Sequence, residues 1–355
     1  MAPLPTFTKD VVRRAALLIA LAATVVSLPA CASGGSVASS PSTSEAAASA
    51  PESPTPSSAI DTTARPAFGG DCASVVDAAR LSSILGRELG QASEETSTGV
   101  RTLGGLECVW RTGSGSAVRS FAAPVDVVPE TTQSRYGSVV CEGYLYDGWG
   151  CRIAVRNDTT WLLVTIDGEV GVEGSASKAQ LSEDAGKLAP LFQESLAASP
   201  APRAATPSAG WWAAPTCEDL GSRLDLAGIL DSADFESGYP SGFATDIASE
   251  LAIARGTMID CKWYSSSAEG MTAIVITAYP GAADEWEQLE NDLSSRTPVT
   301  PVVVAGAQQA IEGTGAIRPE SSFVAATDGI NLIQVAEAPR TADATASVIA
   351  ALSQG

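Results

Sequence analysis

The chain has 355 residues, 41 acidic against 21 basic side chains, a net charge of −20 and no histidine. That balance opposes nucleic acid and anionic lipid surfaces, whose phosphates it would repel. The missing histidine removes Ser-His-Asp and Cys-His catalysis and every histidine metal triad.

Residues 1–30 read as a secretory signal. Lys9, Arg13 and Arg14 precede an uncharged, mostly apolar run from Ala15 to Pro29, shorter than the roughly 20 residues that span a bilayer. Leu28-Pro29-Ala30-Cys31 resembles the bacterial lipobox, in which signal peptidase II cuts before a cysteine that carries diacylglycerol. The resemblance implies a lipid on Cys31 and a chain held at the outer face of the plasma membrane. Lys9, Arg13, Arg14 and Asp10 would leave with the signal, taking the mature charge to near −22. Residues 31–66 are rich in Ser, Ala, Pro and Thr, with too little apolar surface to offset the entropy of ordering. They read as a disordered tether with a reach on the order of 30 Å.

A second Ala/Pro-rich stretch, residues 198–213, separates two segments of ordinary domain size, 67–197 and 214–355. Setting Cys72 on Cys217 aligns Val75 with Leu220, Leu81 with Leu226, Ile84 with Ile229 and Leu85 with Leu230, apolar positions at helical spacing. Cys108-Val109-Trp110 then matches Cys261-Lys262-Trp263, each in a run that alternates like a strand. Seven cysteines less Cys31 leave six, and an even number in an oxidising compartment implies disulfides. The repeat pairs Cys72 with Cys108 and Cys217 with Cys261, which leaves Cys141 for Cys151.

Each repeat continues with a second strand, Ala117 to Val128 and Met271 to Tyr279. Trp286, Leu289 and Leu293 then mark a helix packed by one face, with a weaker counterpart at Glu130 to Tyr136. Two hairpins follow, Arg152 to Arg156 with Trp161 to Ile166, and Ser322 to Ala326 with Asn331 to Val335. Closing helices run from Ala179 to Ala197, where Pro190 should kink or divide it, and from Ala342 to Leu352. The expected fold is α+β: two tandem repeats, each ordered α-β-β-α-β-β-α, with helices on a mainly antiparallel sheet and a helix-to-strand disulfide.

The Cys, helix, Cys-x-Trp layout, with small residues from Val304 to Ala310 before the last hairpin, resembles the actinobacterial lipoprotein domain of unknown function known by its Cys-Ser-Trp signature. Each repeat covers one such domain. The resemblance implies a lipid-anchored cell-envelope protein with no catalytic residues to carry over.

Chemistry is sparse along the chain. Ser175 and Lys178 have the spacing of a serine-lysine acyl enzyme without its partner motifs. Asp231, Asp234 and Glu236 lack the glycine and spacing of a calcium loop. No metal, cofactor or catalytic set is expected. The ring closed by Cys141 and Cys151 carries Tyr144, Tyr146 and Trp149, which a closed loop would preorganise as binding anchors. Trp211 and Trp212 are expected to wedge the two domains together, or else to meet carbohydrate or lipid. The expected function is a non-catalytic extracytoplasmic module that binds an envelope protein, glycan or lipid. The alternatives are a carboxylate-dependent envelope hydrolase and a structural or sensory partner ectodomain.

Overall fold

Each repeat begins with a short helical turn that breaks and restarts on an aspartate. The computed structural model describes residues 63–113, 117–143, 149–168, 177–237, 246–267, 270–315 and 321–354. In the first repeat a 3-10 turn, Cys72–Ser74, precedes α1 (Ala78–Leu85). Asp77 caps α1 by accepting the N–H groups of Ala79 and Arg80, and Gly86 ends it at φ 65°. In the second repeat α5 (Cys217–Arg223) gives way to α6 (Leu226–Leu230), where Asp225 accepts the Gly228 N–H. Such caps contribute about 1 kcal/mol each. The single helix expected from the apolar spacing is thus two pieces in both repeats, because an aspartate competes for the backbone at each break.

The first repeat continues through β1 (Ser93–Glu94), α2 (Thr98–Thr102), β2 (Leu106–Arg111), β3 (Ala117–Pro124), α3 (Glu130–Arg135), β4 (Val140–Gly143), β5 (Trp149–Arg156), β6 (Thr160–Asp167) and α4 (Lys178–Ala198). The second runs through β7 (Glu236–Ser237), α7 (Ile247–Ala254), β8 (Ile259–Ser267), β9 (Gly270–Tyr279), α8 (Trp286–Arg296), β10 (Val299–Pro301), β11 (Gln309–Thr314), β12 (Ser322–Thr327), β13 (Leu332–Ala336) and α9 (Thr341–Leu352). The sheets are ordered β1-β2-β3-β6-β5-β4 and β7-β8-β9-β13-β12-β11-β10, and every described pairing is antiparallel. The two orders superpose strand for strand, with β10 as one extra edge. The chain is therefore α+β with two tandem repeats, as the internal alignment requires. The expected α-β-β-α-β-β-α order lacked the small elements β1, α2, β7, α7, β4, β10 and β11. Most are two to six residues long, too short to show a period.

Strand alternation gives each sheet two working faces. In the first sheet Cys108, Trp110, Val118, Leu162 and Val164 meet Leu81 of α1 and Leu181, Leu188 and Phe192 of α4. The Trp110 and Phe192 rings meet edge to face, centroids 6.0 Å apart. In the second sheet Cys261, Trp263, Ile274, Ile276 and Val335 meet α5, α6 and α9. Pro190 does not divide α4, which runs unbroken for 21 residues. Buried Leu188, Leu191 and Phe192 flank the proline on the sheet, and that packing holds the helix across one missing backbone hydrogen bond.

The opposite faces differ. Trp286 and Leu293 of α8 cover the second sheet, whereas α3 buries none of its residues. The first sheet therefore borrows a cover: Phe121, Ala123, Trp161 and Leu163 pack with Val100 and Leu103 near α2 and with Ala248, Leu251, Ala252 and Met258 around α7. α2 and α7 occupy equivalent places in the two repeats, so the same element meets itself across the interface. Gly99 makes the approach close, since a Cβ there would lie 2.9 Å from that of Met258. The Thr257 hydroxyl donates to the Gly99 carbonyl at 2.9 Å, and Arg255 donates to the carbonyls of Val127 and Asp126 at 2.9 and 2.8 Å.

Candidate functional site

The segment joining the repeats carries small and polar side chains, so its backbone makes the attachments. Arg203 pairs with Arg65 through two N–H to carbonyl bonds of 2.8 Å, and the Ala205 N–H donates to Thr102. Further on, the Trp212 N–H donates to the Asn331 side chain at 3.1 Å. Trp212 is buried in the second repeat's own core. It does not wedge the domains, because this hydrogen bond turns it under the β12–β13 hairpin. Trp211 remains half-buried and lies on Gly281. A Cβ on Gly281 would fall 1.9 Å from the indole, and the residue sits at φ 76°, so only glycine lets the ring rest on this backbone.

Trp211 forms one wall of a cleft of about 440 Å³. The first repeat contributes Glu94, Arg101 and Thr102, the joining segment Thr206 and Ser208, and the second repeat Gly281, Asp284 and Glu285. Arg101, at the end of α2, ties these parts together. It meets Glu94 at 2.9 Å and Glu285 at 3.7 Å, and donates to Gln288 at 2.7 Å. Glu285 is 17% exposed. Burial pushes its carboxyl up to about 7, against the pull of the Arg101 guanidinium and a hydrogen bond from Thr98. Asp284 is exposed and makes no ion pair among the described residues.

A second acid sits in the interface beyond the cleft. Glu107 lies on β2 beside Cys108, its side chain on the face opposite the disulfide. Burial pushes it up to about 8, with Asp246 at the start of α7 and Glu95 adding repulsion and the Ser97 N–H and Arg119 opposing. Partly withdrawn from water and facing two other acids, the carboxyl favours its protonated form.

The disulfides join Cys72 to Cys108, Cys141 to Cys151 and Cys217 to Cys261, with Cα separations of 5.6, 4.0 and 5.5 Å. The first and third tie a helical turn to the Cys-x-Trp strand beside Trp110 and Trp263. Of the aromatic ring residues, Tyr144 and Tyr146 lie outside the described residues, and Trp149 opens β5 opposite Gly143. Cys31 lies outside them as well, as does Ser175. Asp231, Asp234 and Glu236 are exposed; Asp231 ends α6, and Glu236 accepts a hydrogen bond from the Tyr264 hydroxyl. Among the described residues no group of three or more His, Cys, Asp or Glu is placed to hold a metal ion, and no helix is long and apolar enough to cross a membrane. Sequence reading missed Glu94, Arg101, Gly281, Asp284 and Glu285. They come from elements about 190 positions apart, and no local pattern marks them.

No known family matches the chain, and no curated protein does either. Among solved structures it is similar, over 77% of its length and 82% of the other chain, to the di-domain ARO/CYC StfQ from the steffimycin biosynthetic pathway, at 12% identity and a TM-score of 0.14. A likeness at that level carries nothing about chemistry.

Proposed function

We propose that this is a lipid-anchored, extracytoplasmic binding module of the bacterial cell envelope, of the kind the Cys-Ser-Trp resemblance implies, that receives its ligand in the cleft between its two repeats. The anchor rests on Cys31, the short apolar leader before it and the polar tether after it. Three disulfides are in keeping with an oxidising compartment. The observation that carries the binding reading is the cleft itself: a concave site of ligand size, assembled from both repeats and the segment between them, with one aromatic wall and a few converging polar groups. The test has two parts. Mass spectrometry of the processed N-terminus should find acyl groups on Cys31, and an unacylated chain beginning elsewhere removes the anchor. Crosslinking in the native envelope, followed by identification of the adduct, should be lost in a folded Trp211→Leu variant.

One observation favours a second reading, a carboxylate-dependent envelope hydrolase. Glu94 and Glu285 converge on Arg101, and Glu285 titrates near neutrality, as a general acid would. Both carboxylates are engaged by the guanidinium, which suits a clasp between repeats better than a proton donor. Turnover of envelope glycans that is abolished in Glu285→Gln would reverse this preference.

A further inference from the structure

We infer that the cleft takes a small organic cation, an alkylammonium or guanidinium group set against the open part of the Trp211 indole and the Asp284 carboxylate. This deepens the binding reading and rests on it. The cleft volume of about 440 Å³ suits a compact molecule rather than a polymer chain. Its lining carries the carboxylates of Glu94, Asp284 and Glu285 against the one guanidinium of Arg101. Arg101 already meets Glu94 and Glu285 and donates to Gln288, its Nε alone lacking a hydrogen bond, so the site accommodates one cation of its own and leaves Asp284 without an ion pair among the described residues. Charge lining a concave site focuses the field there, and the mature chain's surplus of about 22 negative charges reinforces the attraction. The indole adds selectivity: Gly281 fixes the ring from beneath, and a fixed aromatic face holds a cation through its quadrupole. A phosphate or carboxylate ligand would meet repulsion from Asp284 and find the Arg101 guanidinium already shared between Glu94 and Glu285.

The experiment titrates the full chain, in a neutral detergent, with choline, methylguanidine and butylammonium, and with 3,3-dimethylbutan-1-ol as the uncharged match of choline. At least one cation should bind, weakening with added salt, and the alcohol should bind at least about tenfold more weakly than choline. Trp211→Leu and Asp284→Asn should each weaken cation binding about fivefold or more with unchanged far-UV circular dichroism. Equal binding of choline and its uncharged match overturns the inference, as does failure of all three cations. A neutral methyl glucoside that binds while the cations do not, and is lost in Trp211→Leu, leaves the cleft as the site and removes the cation. Cation binding untouched by Trp211→Leu removes the cleft.

Discussion

Replacing Gly281 with alanine should collapse the Trp211 wall, and the cost can be worked from the contact. Alanine at φ 76° incurs about 1 kcal/mol of backbone strain. Its methyl carbon would stand 1.9 and 2.1 Å from two indole carbons, so the ring must leave. If about 100 Å² of apolar contact is lost with it, at about 25 cal/mol per Å², the displacement adds about 2.5 kcal/mol. Gly281→Ala should therefore destabilise the chain by about 3 to 4 kcal/mol. In a Trp211→Ala background only the strain remains, about 1 kcal/mol. Urea unfolding of the four proteins in a double-mutant cycle reads the difference, a coupling of about 2 to 3 kcal/mol. Additivity within about 0.5 kcal/mol would refute the contact between ring and glycine and, with it, the fixed wall of the cleft.

Other expectations concern the seam and the staples. Leu251→Ala empties part of the core shared by the two repeats and should cost about 2 to 4 kcal/mol; calorimetry should show the first repeat melting earlier together with the second, and an unchanged first repeat would contradict the shared core. Glu107 keeps its proton in the folded chain up to about pH 8 but ionises near 4.5 when unfolded, so its cost to the folded state is absent below about pH 4.5, grows across that window and is greatest above about pH 8. Stability should fall as pH rises from about 4.5 to 8, and Glu107→Gln should flatten melting temperature over that window; parallel curves for the two proteins would contradict the buried carboxyl. Removing the Cys72–Cys108 bridge by a double alanine substitution should cost about 4 kcal/mol and removing Cys141–Cys151 about 3 kcal/mol, measured by denaturant unfolding; equal and negligible losses would contradict their place as staples.

What could be read beforehand was whatever repeats or alternates. Cys108 with Trp110 and Cys261 with Trp263 are spaced to point one way along a strand, so the pairing of each with Cys72 or Cys217 followed from matching the halves. Trp286 and Leu293 marked α8 by one apolar face. Elements without a visible period were harder: α2 is too short, at five residues, to show one, and the restart of the helix at Asp77 or Asp225 depends on a side-chain bond. The site was the least legible part. Arg101 looks like any surface arginine until α2 meets the segment before α8, and Glu285 like any acid in an acidic helix start. Trp211 and Trp212 are adjacent in sequence, yet one Asn331 hydrogen bond sends the second into the core while the first stays at the cleft.

The central claim is that the cleft between the repeats is where this protein meets its ligand. A photo-reactive amino acid at Thr206, on the cleft wall, tests it most directly when illuminated in living cells. A defined adduct on the protein is expected, and it should disappear with Trp211→Leu; an adduct that persists in that variant, or one formed from the ring between Cys141 and Cys151 but never from residue 206, contradicts the claim.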